Sequence, residues 1–339
     1  MAADRTSNSH LLIGGVLLCS TTSMGLAFSS EIWQLIFAMT LIGGVQGAAW
    51  VPATKLVATW FDDSSYATMF SLLGCGSTFA GMLLPVFKNF YWRTCELNIG
   101  LLMLAFGMIC KKWVITEVGI RKEMKPRKKS ELEEESKQGI MTVVSSLPVW
   151  HIAVVYFFSM QMRTICETWI PLFLTERNVS SDGFQFFYEL GGLTGTMTSG
   201  ILLDRLSEHF GVDRSRKWLG FAFSTVMLLT AQSIFQWAEL ASPIGFATGF
   251  FVNGSINIWC LIGSQAGTKS IAGTVSAFIS FIATLGSVFA GSPLAQLIAH
   301  FNYEVFGWLL IGQMTFLFVV AASSISLRMQ KTSTEKKTD

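Results

Sequence analysis

Ten long apolar runs, separated by short polar stretches, make up most of the chain. They lie near residues 10–29, 32–58, 65–88, 93–115, 149–174, 183–204, 217–237, 242–265, 270–298 and 304–326. Each is close to the ~20 apolar residues that an α-helix needs to cross a bilayer. In hydrocarbon a lone segment can satisfy its own backbone only as a helix. The pattern therefore predicts ten spanning helices and an all-α membrane protein. The first run lacks an A-x-A-like cleavage site and is long enough to span, so it reads as a membrane helix and not as a leader.

One long polar segment, "KKWVITEVGIRKEMKPRKKSELEEESKQ", parts four spans from six. The expected organisation is an N-terminal membrane half over 1–116, a linker over 117–147, a C-terminal half over 148–327 and a tail over 328–339. The block "RKEMKPRKK" has the composition of a nuclear localisation signal, but it reads as a solvated cytosolic linker obeying the positive-inside rule. The linker, the 205–217 loop and the tail hold most of the basic residues, while the opposite loops hold Lys88, Arg93 and Arg177. That asymmetry puts both termini and the linker in the cytosol.

Composition agrees. Of 339 residues, 51% are hydrophobic and 14% charged, with a mean hydropathy of +0.49. A soluble domain carries about 25% charged residues. The net charge of +2 gives no case for nucleic acid. Six Cys form no CxxC pair and mostly sit in apolar runs, where they read as small hydrophobes. Four scattered His offer no metal spacing, and no GxSxG, P-loop or HExxH is present. Neither an enzyme nor a cofactor is expected.

A faint repeat is visible. "ADRTSN" (3–8) precedes the first span and "GILLDRLSEH" (200–209) follows the sixth, each with Asp-Arg at the mouth of a loop. Parallel repeats of this kind occur in transporter folds. The second Asp-Arg follows two helices of its half and Asp4-Arg5 follows none, so the first half reads as two helices short.

Several stretches carry a family likeness. "GGVQGAAWVPATKLVATWF" (43–61), "YWRTCELNIG" (91–100), "ELGGLTGTMTSGILLDR" (189–205) and "GTVSAFISFIATLGSVFAGSPLAQLIAHF" (273–301) stand in order at matching spacing. Together they resemble the fourth, sixth, eighth and eleventh helices of the major facilitator superfamily. Within it the chain is similar to the organophosphate:phosphate antiporters, and most to the branch that moves glucose 6-phosphate across the endoplasmic reticulum membrane. The resemblance implies a twelve-helix fold, about ten of whose helices are present here. It also implies exchange of glucose 6-phosphate or a related sugar phosphate for inorganic phosphate, and coupling to a lumenal glucose-6-phosphatase.

The sharpest candidate chemistry is in "FFSMQMRTICETWIPLFLTE" (157–176), where Arg163 and Glu167 interrupt an apolar span. An Arg at mid-helix costs ~2.5–3.5 kcal/mol on insertion scales and persists where it meets a cavity or a partner. Glu167 at i+4 shares its face, so one reading is a self-satisfied pair that fixes packing. The other is an anion site, because the guanidinium fork matches phosphate oxygens and transporter sites lie near the midplane. The resemblance adds that phosphate exchangers bind phosphate through an Arg six residues before a Trp, here Arg163 and Trp169. The acidic residue stands one place earlier than in the family.

Further candidates follow. Glu189 is a second intramembrane carboxylate. Asn253 and Asn257, one turn apart, could bond sugar hydroxyls or neighbouring helices. Ser77 and Thr78 stand where bacterial relatives have His-Asn. Lys55, near a helix end, could snorkel or gate. Asp204 and Arg205, with Asp4 and Arg5, match the superfamily's cytosolic gate, and a local cap is the alternative. Gly191, Gly195 and Ser199 form a small-xxx-small pattern suited to close helix contact. Lys336 and Lys337, fourth and third from the end, form a dilysine retrieval pattern, a receptor-read address like other such signals. The sequon Asn178-Val179-Ser180 lies too near the membrane for ready glycosylation.

The expected function is sugar-phosphate:phosphate antiport in the endoplasmic reticulum membrane, with membrane lipid as surroundings. In the family the first helix supplies a second Arg to the phosphate site, and no replacement is evident. A shortened, non-transporting relative that senses a ligand or binds a partner therefore stays open, as does exchange of another organic anion.

Overall fold

The structure is a computed structural model that describes residues 8–62, 64–87, 90–118, 143–267 and 272–322. Asp4, Arg5, Lys336, Lys337 and most of the linker lie outside the described residues. Secondary structure among the described residues is helical throughout. Each expected span coincides with a helix or a helix pair: α1 (Asn8–Ala27), α2 (Ile32–Trp60), α3 (Tyr66–Phe87), α4 (Trp92–Val118), α5 (Leu147–Thr164) with α6 (Ile170–Glu176), α7 (Ser181–Phe210), α8 (Val212–Gln236), α9 (Ala241–Gln265), α10 (Ala272–Phe289) with α11 (Ser292–Phe301), and α12 (Val305–Ala322). Six helical stretches among the described residues are long and apolar enough to cross a membrane on those criteria alone. Helices α3, α5 with α6, and α7 carry more Gly, Ser, Thr or charge.

Two of the expected spans are not continuous α-helix. The fifth contains a π-helical turn, Ile165–Trp169, between α5 and α6. The ninth breaks between Phe289 and Ser292. Both irregularities fall next to polar or small residues that the hydropathy pattern does not register.

The chain forms two compact units. The first holds residues 1–61 and 86–138, and so α1, α2 and α4. In it α1 packs on both α2 and α4. Gly15 meets the Ala49 side chain, and Gly100 and Gly107 meet Met24 and Leu17. The Ser23 hydroxyl donates to Glu96 at 2.8 Å, which anchors a carboxylate that would otherwise be orphaned in an apolar setting. At the start of α2, Gln34 reaches back to accept the Ser30 N–H at 2.9 Å.

The second unit holds residues 62–85 and 139–339. Helix α3 clusters here although four of the spans, α3 among them, precede the linker. Its centre is the α7–α9 pair. A Cβ added to Gly191 or Gly195 would overlap the backbone carbonyl of Phe246 or Phe250, and one on Gly249 would overlap that of Tyr188. The two backbones touch directly, as small residues permit in membrane helices. Gly200 likewise sits against Ser71 and the Ala67 carbonyl of α3. At the far end of α7, Gly211 has φ 81°, the left-handed region open to glycine, and this lets α8 start at the next residue.

Several polar groups buried between these helices are paired. Ser255 on α9 bonds Ser224 on α8 at 2.8 Å and Ser159 on α5 at 3.2 Å, and the Trp259 indole N–H donates to Ser224 at 2.8 Å. The Gln313 amide on α12 donates to Gln161 on α5 at 2.8 Å. These bonds tie α5, α8, α9 and α12 together where apolar contact alone distinguishes poorly between helix and lipid. Gly195→Ala is expected to cost about 1–3 kcal/mol, the usual range for overpacking, and to lower the thermal midpoint in detergent. Gly312→Ala, with open space around it, should change that midpoint little.

Candidate functional site

The site is built on α5 and its π-helical continuation. Arg163 lies one residue before the end of α5, and the π turn Ile165–Trp169 begins two residues later. A π turn inserts one extra residue, re-aims side chains and recurs at functional positions. Here it keeps Glu167 on the Arg163 face, and the Arg163 Nε–H donates to Glu167 Oε1 at 2.6 Å. The side chains retain 25% and 33% of their surface, so the pair is accessible and not sealed. Among the described residues the guanidinium engages only through Nε, which leaves its terminal Nη groups without a protein acceptor.

Glu189 of α7 is buried and accepts the Gln185 side-chain N–H at 3.2 Å. It lies within electrostatic reach of both Arg163 and Glu167, which unites the three intramembrane charges expected to form a site. A Cβ on Gly81 of α3 would stand 2.5–2.8 Å from the Glu189 carboxylate, so α3 passes close to that group and a larger residue would shift it. Thr78 of α3 and Asn253 of α9 flank Gly192 in the same region. Thr78 is buried and bonds its own helix at Cys75 O, 3.0 Å. Asn253 is buried and donates to Gly249 O at 3.3 Å.

The remaining candidates are placed differently. Trp169 donates its indole N–H to Ala290 O at 2.7 Å, at the break between α10 and α11. It fastens the irregular stretch of the fifth span to that of the ninth. The Asn257 amide donates to Ser71 at 2.6 Å and to Ser199 at 2.9 Å, joining α9 to α3 and α7. Ser77 is exposed and bonds Gly74 O at 3.2 Å. Asp204 accepts from the backbone N–H of Ala67 at 3.1 Å, from that of Thr68 at 2.8 Å and from the Thr68 hydroxyl at 2.6 Å. It caps the first turn of α3 from another helix, in place of a residue local to α3. Arg205 beside it is exposed. Lys55 is on α2, in the other unit.

Two neighbours of the site escaped the sequence reading. Gln185 stands one turn before Glu189 and orients it. The Tyr188 hydroxyl is buried with no hydrogen-bond partner among the described residues, within electrostatic reach of Arg163 and Glu189. A Tyr beside a Glu in "FYELGG" was a usable signal, masked by the many aromatics of the span. No cluster able to hold a metal ion occurs among the described residues.

Comparison with known proteins is decisive for the family. The family model described as Major Facilitator Superfamily matches residues 1–291. The chain belongs to the Major Facilitator Superfamily. Relatives in sequence and solved structures of similar fold are also found. A probable hexose phosphate transport protein of Chlamydia pneumoniae is 25% identical over 96% of this chain and 76% of its own length. The glycerol-3-phosphate transporter of Bacillus subtilis is 24% identical over 91% and 74%. The membrane sensor protein UhpC of Salmonella typhimurium is 21% identical over 90% and 74%. The fold is that of the E. coli fucose:proton symporter FucP, with a TM-score of 0.72 at 11% identity, covering 97% of this chain and 85% of that one. A bacterial homologue of the iron transporter ferroportin, in its outward-facing state, gives 0.71 at 12% over 94% and 84%. The chain is therefore a multi-pass, all-helical membrane protein of a transporter superfamily, with transporters and a sensor, not enzymes, as its kin.

Asp204→Ala is expected to uncap α3, at about the 0.5–2 kcal/mol typical of a lost N-cap. Hydrogen exchange should then speed up at the Ala67 and Thr68 amides and stay unchanged within α9.

Proposed function

We propose that this protein exchanges a sugar phosphate for inorganic phosphate by alternating access, with glucose 6-phosphate crossing the endoplasmic reticulum membrane as the specific case. The observation that carries the reading is the Arg163 guanidinium, held through Nε by Glu167 with its Nη edge open. That edge is the fork that binds two phosphate oxygens at once. The unpartnered Tyr188 hydroxyl supplies a further donor nearby. Glu189, Gln185 and Asn253 offer acceptors and donors suited to sugar hydroxyls. A hexose phosphate transport protein and a glycerol-3-phosphate transporter among the relatives support a phosphorylated substrate. The likeness of residues 43–61, 91–100, 189–205 and 273–301 to the reticulum branch of the phosphate exchangers supports that membrane as the setting, and with it coupling to a lumenal glucose-6-phosphatase.

Exchange follows from charge. Donors left without an acceptor are costly to enclose, and bound phosphate supplies the acceptors that the Arg163 Nη groups lack. The two halves then reorient loaded with one anion or the other, and not empty. Asp204 of α7 bonds the start of α3 and Asn257 of α9 bonds Ser71 of α3, so release of these contacts is the candidate gating step.

A second reading has its own support. One relative is a membrane sensor protein, so a chain with the same fold could bind the sugar phosphate and signal without moving it. In phosphate-loaded liposomes the purified chain is expected to take up labelled glucose 6-phosphate only when phosphate is inside. Arg163→Ala and Arg163→Lys should each lower that uptake at least tenfold, about 1.4 kcal/mol or more of lost interaction. Uptake undiminished in Arg163→Ala would overturn the site. Binding without uptake in the wild type would select the sensor.

A further inference from the structure

A groove of about 340 Å³ opens between the end of α7 and the start of α8. It lies outside the site described above. Its walls are Leu206 and Phe210 of α7 and Trp218, Leu219 and Ala222 of α8. The volume is at the lower end of the range for small-molecule pockets.

Only two polar side chains reach it. Ser215 is buried, and its hydroxyl is engaged with Leu206 O at 2.8 Å. Arg214 is exposed. The groove is thus an apolar trough with one cation at its edge.

Its place in the fold says what covers it. Helix α8 is a membrane span from Val212 to Gln236, and the groove occupies its first three turns. Arg214, Trp218, Ala222 and Leu229 follow helical spacing and form the exposed stripe of α8, which in a spanning helix is the lipid side. Phe210 and Trp218 are each 62% exposed. Large aromatics are favoured at the level of the lipid headgroups.

We propose that this groove binds an anionic phospholipid, with an acyl chain laid between α7 and α8 and the headgroup phosphate on Arg214. Charge supports the anionic class. Among the described residues lining the groove, Arg214 is the charged one and no carboxylate lines it. Asp204, Glu208 and Asp213 are near in sequence, and none of them lines the groove. Basic pockets between membrane helices at the leaflet surface are a recurrent way of holding acidic headgroups.

Trp218 reports on the groove directly, because brominated acyl chains quench an indole on contact. The full chain would be reconstituted in phosphatidylcholine vesicles containing an equal fraction of brominated phosphatidylglycerol or brominated phosphatidylcholine. Subtracting the Trp218→Phe signal isolates Trp218 from the other ten tryptophans of the eleven. The Trp218 component should be quenched at least twofold more by the anionic lipid. Arg214→Gln should equalise the two lipids, Arg214→Lys should keep the preference, and Ala222→Phe, which fills the trough, should weaken quenching by both. Equal quenching by the two lipids in the wild type would overturn the proposal. So would a preference that survives Arg214→Gln, or a Trp218 that neither lipid reaches.

Discussion

The second unit depends on how one guanidinium is kept inside an apolar span. Arg163 costs a few kcal/mol at mid-membrane if left alone. Glu167 meets it at 2.6 Å, with Glu189 and Tyr188 close by. The pair is only partly occluded, which supports the proposed anion site over a pair made for packing. A pair made solely for packing would be buried and would use the whole fork, whereas here the Nη edge stays available. The same carboxylate that stabilises the charge at rest leaves the Nη edge unengaged, as the proposed anion site requires.

That arrangement places demands on the backbone. The π turn after Arg163 shifts the face of the fifth span, and Trp169 secures the shifted segment to the broken ninth span at Ala290. Glycines at 191, 195 and 249 bring α7 and α9 into backbone contact, and Gly81 lets α3 lie over Glu189. In lipid, where burial of apolar surface gives little reason to prefer protein neighbours, the Ser–Ser, Gln–Gln and Asn–Ser bonds of this unit provide specificity. The charged site and the small-residue seams are two consequences of one requirement, namely that polar atoms at this depth face each other and not the bilayer.

Much of this was legible in the sequence. The expected positions of the ten rods coincide with helices among the described residues, although α3, α5 with α6, and α7 are less apolar than the six stretches that qualify as spans by length and composition. Arg163, Glu167 and Glu189 stood out because charge is rare in such runs. Their juxtaposition was less accessible, since Glu189 arrives from a different helix and α3 from before the linker. The π turn was invisible because "ICETW" has no residue that forbids an ordinary α-helix. Trp169 and Asn257 matched binding residues by type, yet their polar atoms meet a carbonyl and two hydroxyls on neighbouring helices. Residue type and spacing give the chemistry available, and only the packing says which partner each atom has met. Asp204 shows the same point from the other direction. Its helix-end position suggested a local cap or a gate, and it caps the start of a different helix.

The central claim is that the open Nη edge of Arg163 is an anion site that does not need Glu167 for affinity. Calorimetric titration of the purified protein with inorganic phosphate tests it most directly, across the wild type, Glu167→Gln and Arg163→Gln. The account predicts saturable binding that glucose 6-phosphate displaces, that persists or tightens in Glu167→Gln as the competing carboxylate is neutralised, and that vanishes in Arg163→Gln. Binding unchanged in Arg163→Gln, or lost in a folded Glu167→Gln protein, would contradict it.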